Sequence, residues 1–356
     1  MILFRADGNK NIGSGHIMRC LSIAKEAMKE DNVMFITADD TFHSVISGAG
    51  ICDRILHTDY TEMEIELEGM KDIISSLNPS FLFIDSYYVT EGYLKALKSY
   101  CNQRNCKLIY IDDMLSFAYP CDILINYNVY ANHDSYIDLY NKSCFPLPLM
   151  LIGTDYAPLR SDFTNIPIKS INKTVRNILV STGGTDPIHL ALTMIERLKN
   201  SNKDMDAIYH ILIGAMNSDK SEIEKLAVNC PNVVIHYNVS DMRALICSCD
   251  IAVSAAGTTL YEICACGVPL ITYILADNQI NNAVSFEKAE LALNCGDLRG
   301  KDNKAEVLLS SITKLSNDYI IREKLHENMI KRVDGNGTER IIKAILTERL
   351  EVGESI

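Results

Sequence analysis

No apolar run in this 356-residue chain reaches the ~18 consecutive residues that a bilayer span needs, so no membrane insertion is expected. Nor does a basic segment with a long apolar stretch follow Met1-Ile-Leu-Phe-Arg5, so no secretory signal is read. Net positive charge is lacking too: 34 Lys and Arg stand against 46 Asp and Glu, a formal balance of −12. A non-specific nucleic-acid binder carries the opposite sign, so nucleic acid is not an expected partner. An anionic ligand would have to be held by backbone dipoles and a few placed cations. Histidine is missing around the paired cysteines. Cys247-x-Cys249 and Cys264-x-Cys266 lie in apolar pattern and read as buried thiols rather than a zinc site. No other cluster of His, Cys or carboxylates has ligand spacing, so neither a metal nor another cofactor is expected. Twelve cysteines without a signal read as reduced thiols in a cytoplasmic protein.

What is present is an ordinary globular composition, 47% apolar and 22% charged. The length is about twice that of a 100–200-residue domain, which suggests two domains. Apolar runs alternate with helical-period segments. Ile2-Leu3-Phe4 precedes a Gly-rich loop and a helical stretch over 16–29. Val33–Ile36, Phe81–Ile84, Leu108–Ile111 and Ile123–Ile125 follow as strands, with helical stretches over 64–77 and 91–102 between them. Such fully apolar strands imply a parallel sheet covered on both faces. The pattern then restarts with Asn177–Ser181, a Thr182-Gly183-Gly184-Thr185 loop and a helix from Pro187. Strands are expected near 207–213, 233–236, 251–254 and 269–273. The fold class is therefore α/β: two Rossmann-like, doubly wound domains facing a cleft. The expected division is 1–153, a linker over 154–172, a second domain over 173–333 and a C-terminal helix over 334–356.

Ligands of such sheets bind beyond the carboxyl ends of the strands. Asp7, Asp85, Asp112-Asp113 and Asn126 stand at such ends, where each could equally be a cap or turn residue. In Ile12-Gly13-Ser14-Gly15-His16 the glycines allow a tight turn and close approach to a ligand. Met18 occupies the place of the third glycine of a dinucleotide fingerprint, so an NAD site is not expected, and no Walker pattern is present. A helix N-terminus disfavours imidazolium, so His16 reads as a neutral imidazole competent as general base, or as a loop cap. Gly183, Gly184 and Thr185, between a strand and a helix, suit a diphosphate or form a plain turn. Ser254-Ala-Ala-Gly257 repeats that arrangement. Glu262, just inside the next helix, could accept both ribose hydroxyls or simply offset the helix dipole. Asn278-Gln279 follows another strand and could bond a sugar or phosphate.

Together these residues resemble a known family. Phe4-Arg5-Ala6-Asp7 with the Gly13-Ser14-Gly15-His16 loop is similar to the opening of the pseudaminic-acid-pathway UDP-sugar hydrolases, also called spore-coat polysaccharide biosynthesis protein G-like. The similarity continues through Ile84-Asp85-Ser86-Tyr87, Ile111-Asp112-Asp113, the 121–128 and 153–160 segments, Gly183–Asp186, Ser254–Gly257, Glu262 and Asn278-Gln279. The resemblance implies a GT-B arrangement and a metal-independent, inverting hydrolase of UDP-2,4-diacetamido-2,4,6-trideoxy-β-L-altropyranose. It makes His16 the base that activates water. It places Asp7, Gly13, Gly15, Tyr87, Asn278 and Gln279 around the substrate, and Gly183, Gly184, Thr185, Gly257 and Glu262 on the nucleotide. Arg160 becomes a diphosphate or linker-side contact. The chain runs on to Ile356, past where some family members stop. The implied partner is a small-molecule UDP-sugar substrate, and the protein is expected to be a monomer. A GT-B glycosyltransferase with a UDP-sugar donor is the competing class, and a non-catalytic sugar-nucleotide binder the third.

Overall fold

The computed structural model describes residues 1–200 and 207–353. They form two compact units. The first comprises Met1–Ser161 with the segment from Asn336 onward, the second Asp162–Gly335.

The first unit is built on a seven-stranded sheet: β1 (Ile2–Ala6), β2 (Val33–Thr37), β3 (Cys52–Ile55), β4 (Phe81–Asp85), β5 (Lys107–Ile111), β6 (Ile123–Asn126) and β7 (Leu149–Ile152). Their order is β3-β2-β1-β4-β5-β6-β7, and every pairing is parallel. The second unit holds β8 (Asn177–Ser181), β9 (Ile208–Ile213), β10 (Val233–Tyr237), β11 (Ile251–Ala255), β12 (Leu270–Ile274) and β13 (Leu293–Asp297). Their order, β10-β9-β8-β11-β12-β13, is again wholly parallel. Parallel neighbours require crossover connections, here mostly helical, and right-handed crossovers running outward from the centre cover both faces. Each unit is thus a Rossmann-like, doubly wound domain. The strand order reverses between β1 and β4 in the first unit, and between β8 and β11 in the second.

The central strands are buried along their length, as their continuous apolar runs predict. Leu82, Ile84, Leu108 and Leu124 pack with Ile73, Tyr93 and Leu97 of the covering helices. In the second unit Ile178, Val180, Ile211 and Val253 pack with Met194, Ile195 and Ile312. Arg5 breaks the apolar run of β1. It is fully buried and donates from Nε to Glu66 Oε1 at 2.9 Å and from Nη2 to Glu66 Oε2 at 2.6 Å.

Several expectations about local structure are corrected. The helix expected from Pro187 begins at Leu190. Asp186 and His189 both adopt positive φ, 51° and 54°, which a helix does not allow. The Asp186 carboxylate then accepts from the N–H groups of Leu190, at 2.8 Å, and Ala191, at 2.9 Å. The stretch over 64–77 divides into a 3-10 turn, Met63–Glu66, and a helix, Leu67–Leu77. The chain passes between units at Ser161–Asp162 and returns at Gly335–Asn336. The closing helix, Gly337–Gly353, packs on helix Gly15–Ala27 within the first unit. Residues 354–356 of the expected C-terminal helix lie outside the described residues.

Candidate active site

The loop after β1 builds itself. Asn9 and Gly13 exchange backbone hydrogen bonds of 3.1 and 2.8 Å, and Asn9 Oδ1 accepts from the N–H of Asn11 at 2.9 Å. Gly13 closes the turn at φ +74°, a conformation that suits glycine. Helix Gly15–Ala27 follows, with His16 in its first turn. β1 pairs with β4 so that Ala6 stands opposite Asp85. The switch point of the sheet therefore brings together residues 69 positions apart: His16 Nδ1 lies 2.6 Å from Asp85 Oδ1.

Arg19, one turn further along the helix, completes the cluster. It donates from Nε to Asp85 Oδ2 at 2.6 Å and from Nη2 to Oδ1 at 2.5 Å. Nη1 reaches Asp113 Oδ2 at 2.7 Å and the Tyr127 hydroxyl at 2.8 Å. His16, Arg19 and Asp85 are all buried. Burial works to raise the Asp85 carboxyl, but the charges and hydrogen bonds of Arg19 and His16 outweigh it and hold Asp85 well below the usual carboxylate range. Tyr87 stands edge-on to His16, ring centroids 4.2 Å apart, and its hydroxyl donates to Asp113 at 3.2 Å. Burial, then the neighbouring Asp113 charge, pushes the Tyr87 phenol well up, so it stays protonated. His16 Nε2 is buried and has no hydrogen-bond partner among the described residues. An unpaired buried nitrogen costs ~1–3 kcal/mol, which a water or a substrate group reaching Nε2 would recover.

Other strand-end residues of this unit serve the scaffold. Asp7 has both oxygens engaged, Oδ2 by Arg5 Nη1 at 2.5 Å and Oδ1 by the Ala38 N–H at 2.7 Å. Asp112 turns away from Asp113 and accepts from the Tyr119 and Tyr136 hydroxyls and the Met114 N–H. Asn126 donates to the Tyr136 hydroxyl at 2.7 Å and accepts from Asn128. Gly15 is half-buried just before His16, and Arg160 is half-buried next to Ser161, where the chain leaves the unit.

In the second unit two loops flank the switch point. Gly183 has φ +79°, and the N–H groups of Gly183, Gly184 and Thr185 donate no hydrogen bond among the described residues. The helix that follows adds little to this loop, because Asp186 already occupies its first N–H groups. The loop is instead braced by Gly214, whose absent side chain lets the backbone lie against the Gly184 and Gly183 carbonyls; a Cβ would meet them at 2.3 and 2.4 Å. Tyr273 ties β12 to the Ser181 carbonyl at 3.0 Å. After β11, Gly257 leads to helix Thr259–Ala265, where Glu262 is half-buried in the first turn. Asn282 donates to the Ala256 carbonyl at 3.2 Å and accepts from the Tyr261 hydroxyl at 2.9 Å, holding this loop. Asn278 is exposed in the 3-10 turn Asp277–Gln279, and Gln279 Oε1 accepts from the Leu275 N–H at 2.9 Å.

Of the residues expected to act, His16 and Tyr87 are in contact in the first unit. Gly183, Gly184, Thr185, Gly257 and Glu262 flank the switch point of the second. Sequence reasoning noted Asp85 and Asp113 only as strand-end acids, and it missed Arg19. The available signal was spacing: Arg19 lies three positions after His16, on the same helix face.

Comparison with known proteins gives the class first. The solved structure of MurG from Acinetobacter baumannii superposes with a TM-score of 0.65 at 14% identity, over 97% of this chain and 99% of that one. The chain has the GT-B fold, and residues 178–343 match the glycosyltransferase family 28 C-terminal domain. The relatives are more particular. The spore coat polysaccharide biosynthesis protein SpsG of Bacillus subtilis is 23% identical over 97% of each chain. The UDP-2,4-diacetamido-2,4,6-trideoxy-β-L-altropyranose hydrolase of Campylobacter jejuni is 25% identical over 68% of this chain and 80% of its own. The uncharacterized protein MJ1062 of Methanocaldococcus jannaschii is 26% identical over 77% of this chain, which spans 55% of that protein. The names of SpsG and of the hydrolase are those of the family that the ordered motifs resemble. No helix among the described residues is long and apolar enough to cross a membrane.

Proposed function

We propose that this chain hydrolyses a UDP-linked 2,4-diacetamido-2,4,6-trideoxy sugar to UDP and the free sugar, in pseudaminic acid or related nonulosonate biosynthesis. The observation that carries the reading is His16: one ring nitrogen held by a buried carboxylate, the other buried and unpaired. A relative named as a hydrolase of such a sugar supports the substrate class.

In this reading His16 Nε2 takes a proton from water, and the oxygen attacks the anomeric carbon on the face opposite UDP. The bond from that carbon to the phosphate oxygen breaks, its electron pair leaves with UDP, and the configuration inverts. Tyr87 lines the sugar beside His16. The free N–H groups of Gly183, Gly184 and Thr185 meet the charge on the departing diphosphate. Glu262 accepts the ribose hydroxyls, and Asn278 bonds the substrate. Asp7 keeps a place only in shaping the first loop, since both its oxygens are engaged. No step calls for a metal, and turnover is expected to persist in EDTA.

The match to a glycosyltransferase family 28 domain favours a second reading, transfer of the sugar to an acceptor other than water. One assay separates the two. UDP release without acceptor, with oxygen from 18O-water recovered in the free sugar, supports hydrolysis at carbon. Release only with an added acceptor supports transfer. Label recovered in UDP means attack at phosphorus and overturns the mechanism.

A further inference from the structure

We propose that Asp85 is a positioning residue that fixes His16 as the Nδ1–H tautomer, with Arg19 clamping Asp85 in place. The inference rests on the reading of His16 as a base and specifies how that base is kept ready. His16 Nδ1 and Asp85 Oδ1 lie 2.6 Å apart, a distance two lone pairs cannot share, so a proton stands between them. Two facts place that proton on nitrogen. Arg19 donates to both oxygens of Asp85, at 2.6 and 2.5 Å, and such a bidentate contact belongs to a carboxylate. The Cys20 thiol adds a further donor to Oδ2 at 3.4 Å.

A rival arrangement exists. Arg19 Nη2 lies 3.1 Å from His16 Nδ1 and could donate to it if that nitrogen were bare. The bare nitrogen would then face the Asp85 oxygen at 2.6 Å, lone pair against lone pair. The shorter contact decides, and the Arg19–His16 approach is a packing contact between two donors. Neutral His16 therefore carries its lone pair on Nε2, the nitrogen without a partner.

Asp85, Arg19 and Asp113 together carry one net negative charge, so the cluster of these three with His16 is neutral when His16 holds a second proton. Arg19 alone would oppose an imidazolium; Asp113 offsets it at 2.7 Å and leaves Asp85 as the counter-ion. Asp85 touches no substrate in this arrangement. It acts through His16, as the buried aspartate of a Ser-His-Asp triad acts through its histidine.

The test reads the tautomer directly, in substrate-free protein labelled with 15N-histidine. Long-range proton–nitrogen correlation distinguishes protonated from bare ring nitrogens, and loss of signals in His16→Gln identifies this ring. Wild type is expected to show Nδ1 protonated and Nε2 bare. In Asp85→Asn the amide can donate to Nδ1, so the tautomer is expected to reverse. With UDP-sugar as substrate, that variant should lose roughly 10²–10⁴-fold in kcat with little change in KM. An Nε2–H tautomer in wild type overturns the proposal even if Asp85→Asn fails to fold. So does an unaltered tautomer in a folded Asp85→Asn. A wild type with the expected tautomer that releases no UDP from any UDP-sugar overturns the functional reading and leaves the positioning role standing.

Discussion

Arg19 Nη1 and Asp113 Oδ2 are paired at 2.7 Å, on the side of the guanidinium that does not face Asp85. This pair sets the charge next to His16. Asp113→Asn keeps the shape and removes the compensating charge, so Arg19 then opposes protonation of His16 during turnover. A fall in kcat of about tenfold or more is expected, since unit charges about 4 Å apart interact by roughly 1–4 kcal/mol. Steady-state kinetics with UDP release as the readout checks this. Wild-type kcat in Asp113→Asn would remove the electrostatic role.

His16 itself gives the plainest prediction. General acid–base catalysis contributes ~10²–10⁴-fold, so His16→Ala should reduce turnover by that order and leave UDP binding nearly unchanged. Calorimetric titration with UDP beside the turnover assay separates the two effects. Undiminished turnover would exclude His16 as the base.

The sequence made the frame legible and the site only partly so. Continuous apolar runs such as Phe81–Ile84 and Ile251–Ser254 mark buried parallel strands, because both faces of each are covered. Two of the edge strands, β3 and β13, escaped for the same reason turned round. β3 (Cys-Asp-Arg-Ile) and β13 (Leu-Asn-Cys-Gly-Asp) are half-exposed and polar, so nothing in their composition separates them from loops. His16 stood out through its glycine lead-in. Its partner did not, because the 69-residue separation from Asp85 closes only when β1 pairs with β4. Arg5 is a similar case: an arginine inside an apolar strand makes sense only with Glu66 opposite, 61 positions on. Local periodicity cannot encode such pairings; the topology of the sheet supplies them.

Glu262 follows Gly257 at the switch point of the second unit. If it accepts ribose hydroxyls, losing it removes charge-assisted hydrogen bonds worth roughly 1.5–3 kcal/mol. Glu262→Ala should then weaken UDP binding about ten- to hundredfold, on the same estimate. Calorimetry decides; unchanged affinity would withdraw the assignment.

Gly214 tests the other loop from behind, through the Gly183 and Gly184 carbonyls. An alanine there places Cβ 2.3 Å from the Gly184 carbonyl oxygen, and backbone must move to admit it. Overpacking of this kind costs ~1–3 kcal/mol. Gly214→Ala is expected to lower the melting temperature and to weaken UDP binding more than it lowers kcat at saturation. Intact UDP affinity alongside a lowered melting temperature would detach the 183–185 loop from nucleotide binding.

The second unit also carries a pH-sensitive pair away from these loops. His210 Nδ1 and His236 Nε2 are 2.9 Å apart on neighbouring strands β9 and β10, and His210 Nε2 donates to Asn177 Oδ1 at 3.1 Å. Burial lowers both imidazoles from their ordinary value, and the neighbouring His236 lowers His210 further. The folded chain therefore binds these protons less readily than the unfolded chain. Where the unfolded state holds more protons, stability rises with pH. The contribution is thus fully present above the unfolded value near 6.5 and fades as pH falls below it toward the lower folded values. Both rings keep contact with water, so the effect should be modest, a few degrees of melting temperature at most. Wild type is expected to melt lower at pH 5.5 than at pH 7.5. The double variant His210→Gln, His236→Gln should show a smaller difference. An identical difference in both proteins would mean that other groups carry the acid sensitivity and that this pair does not.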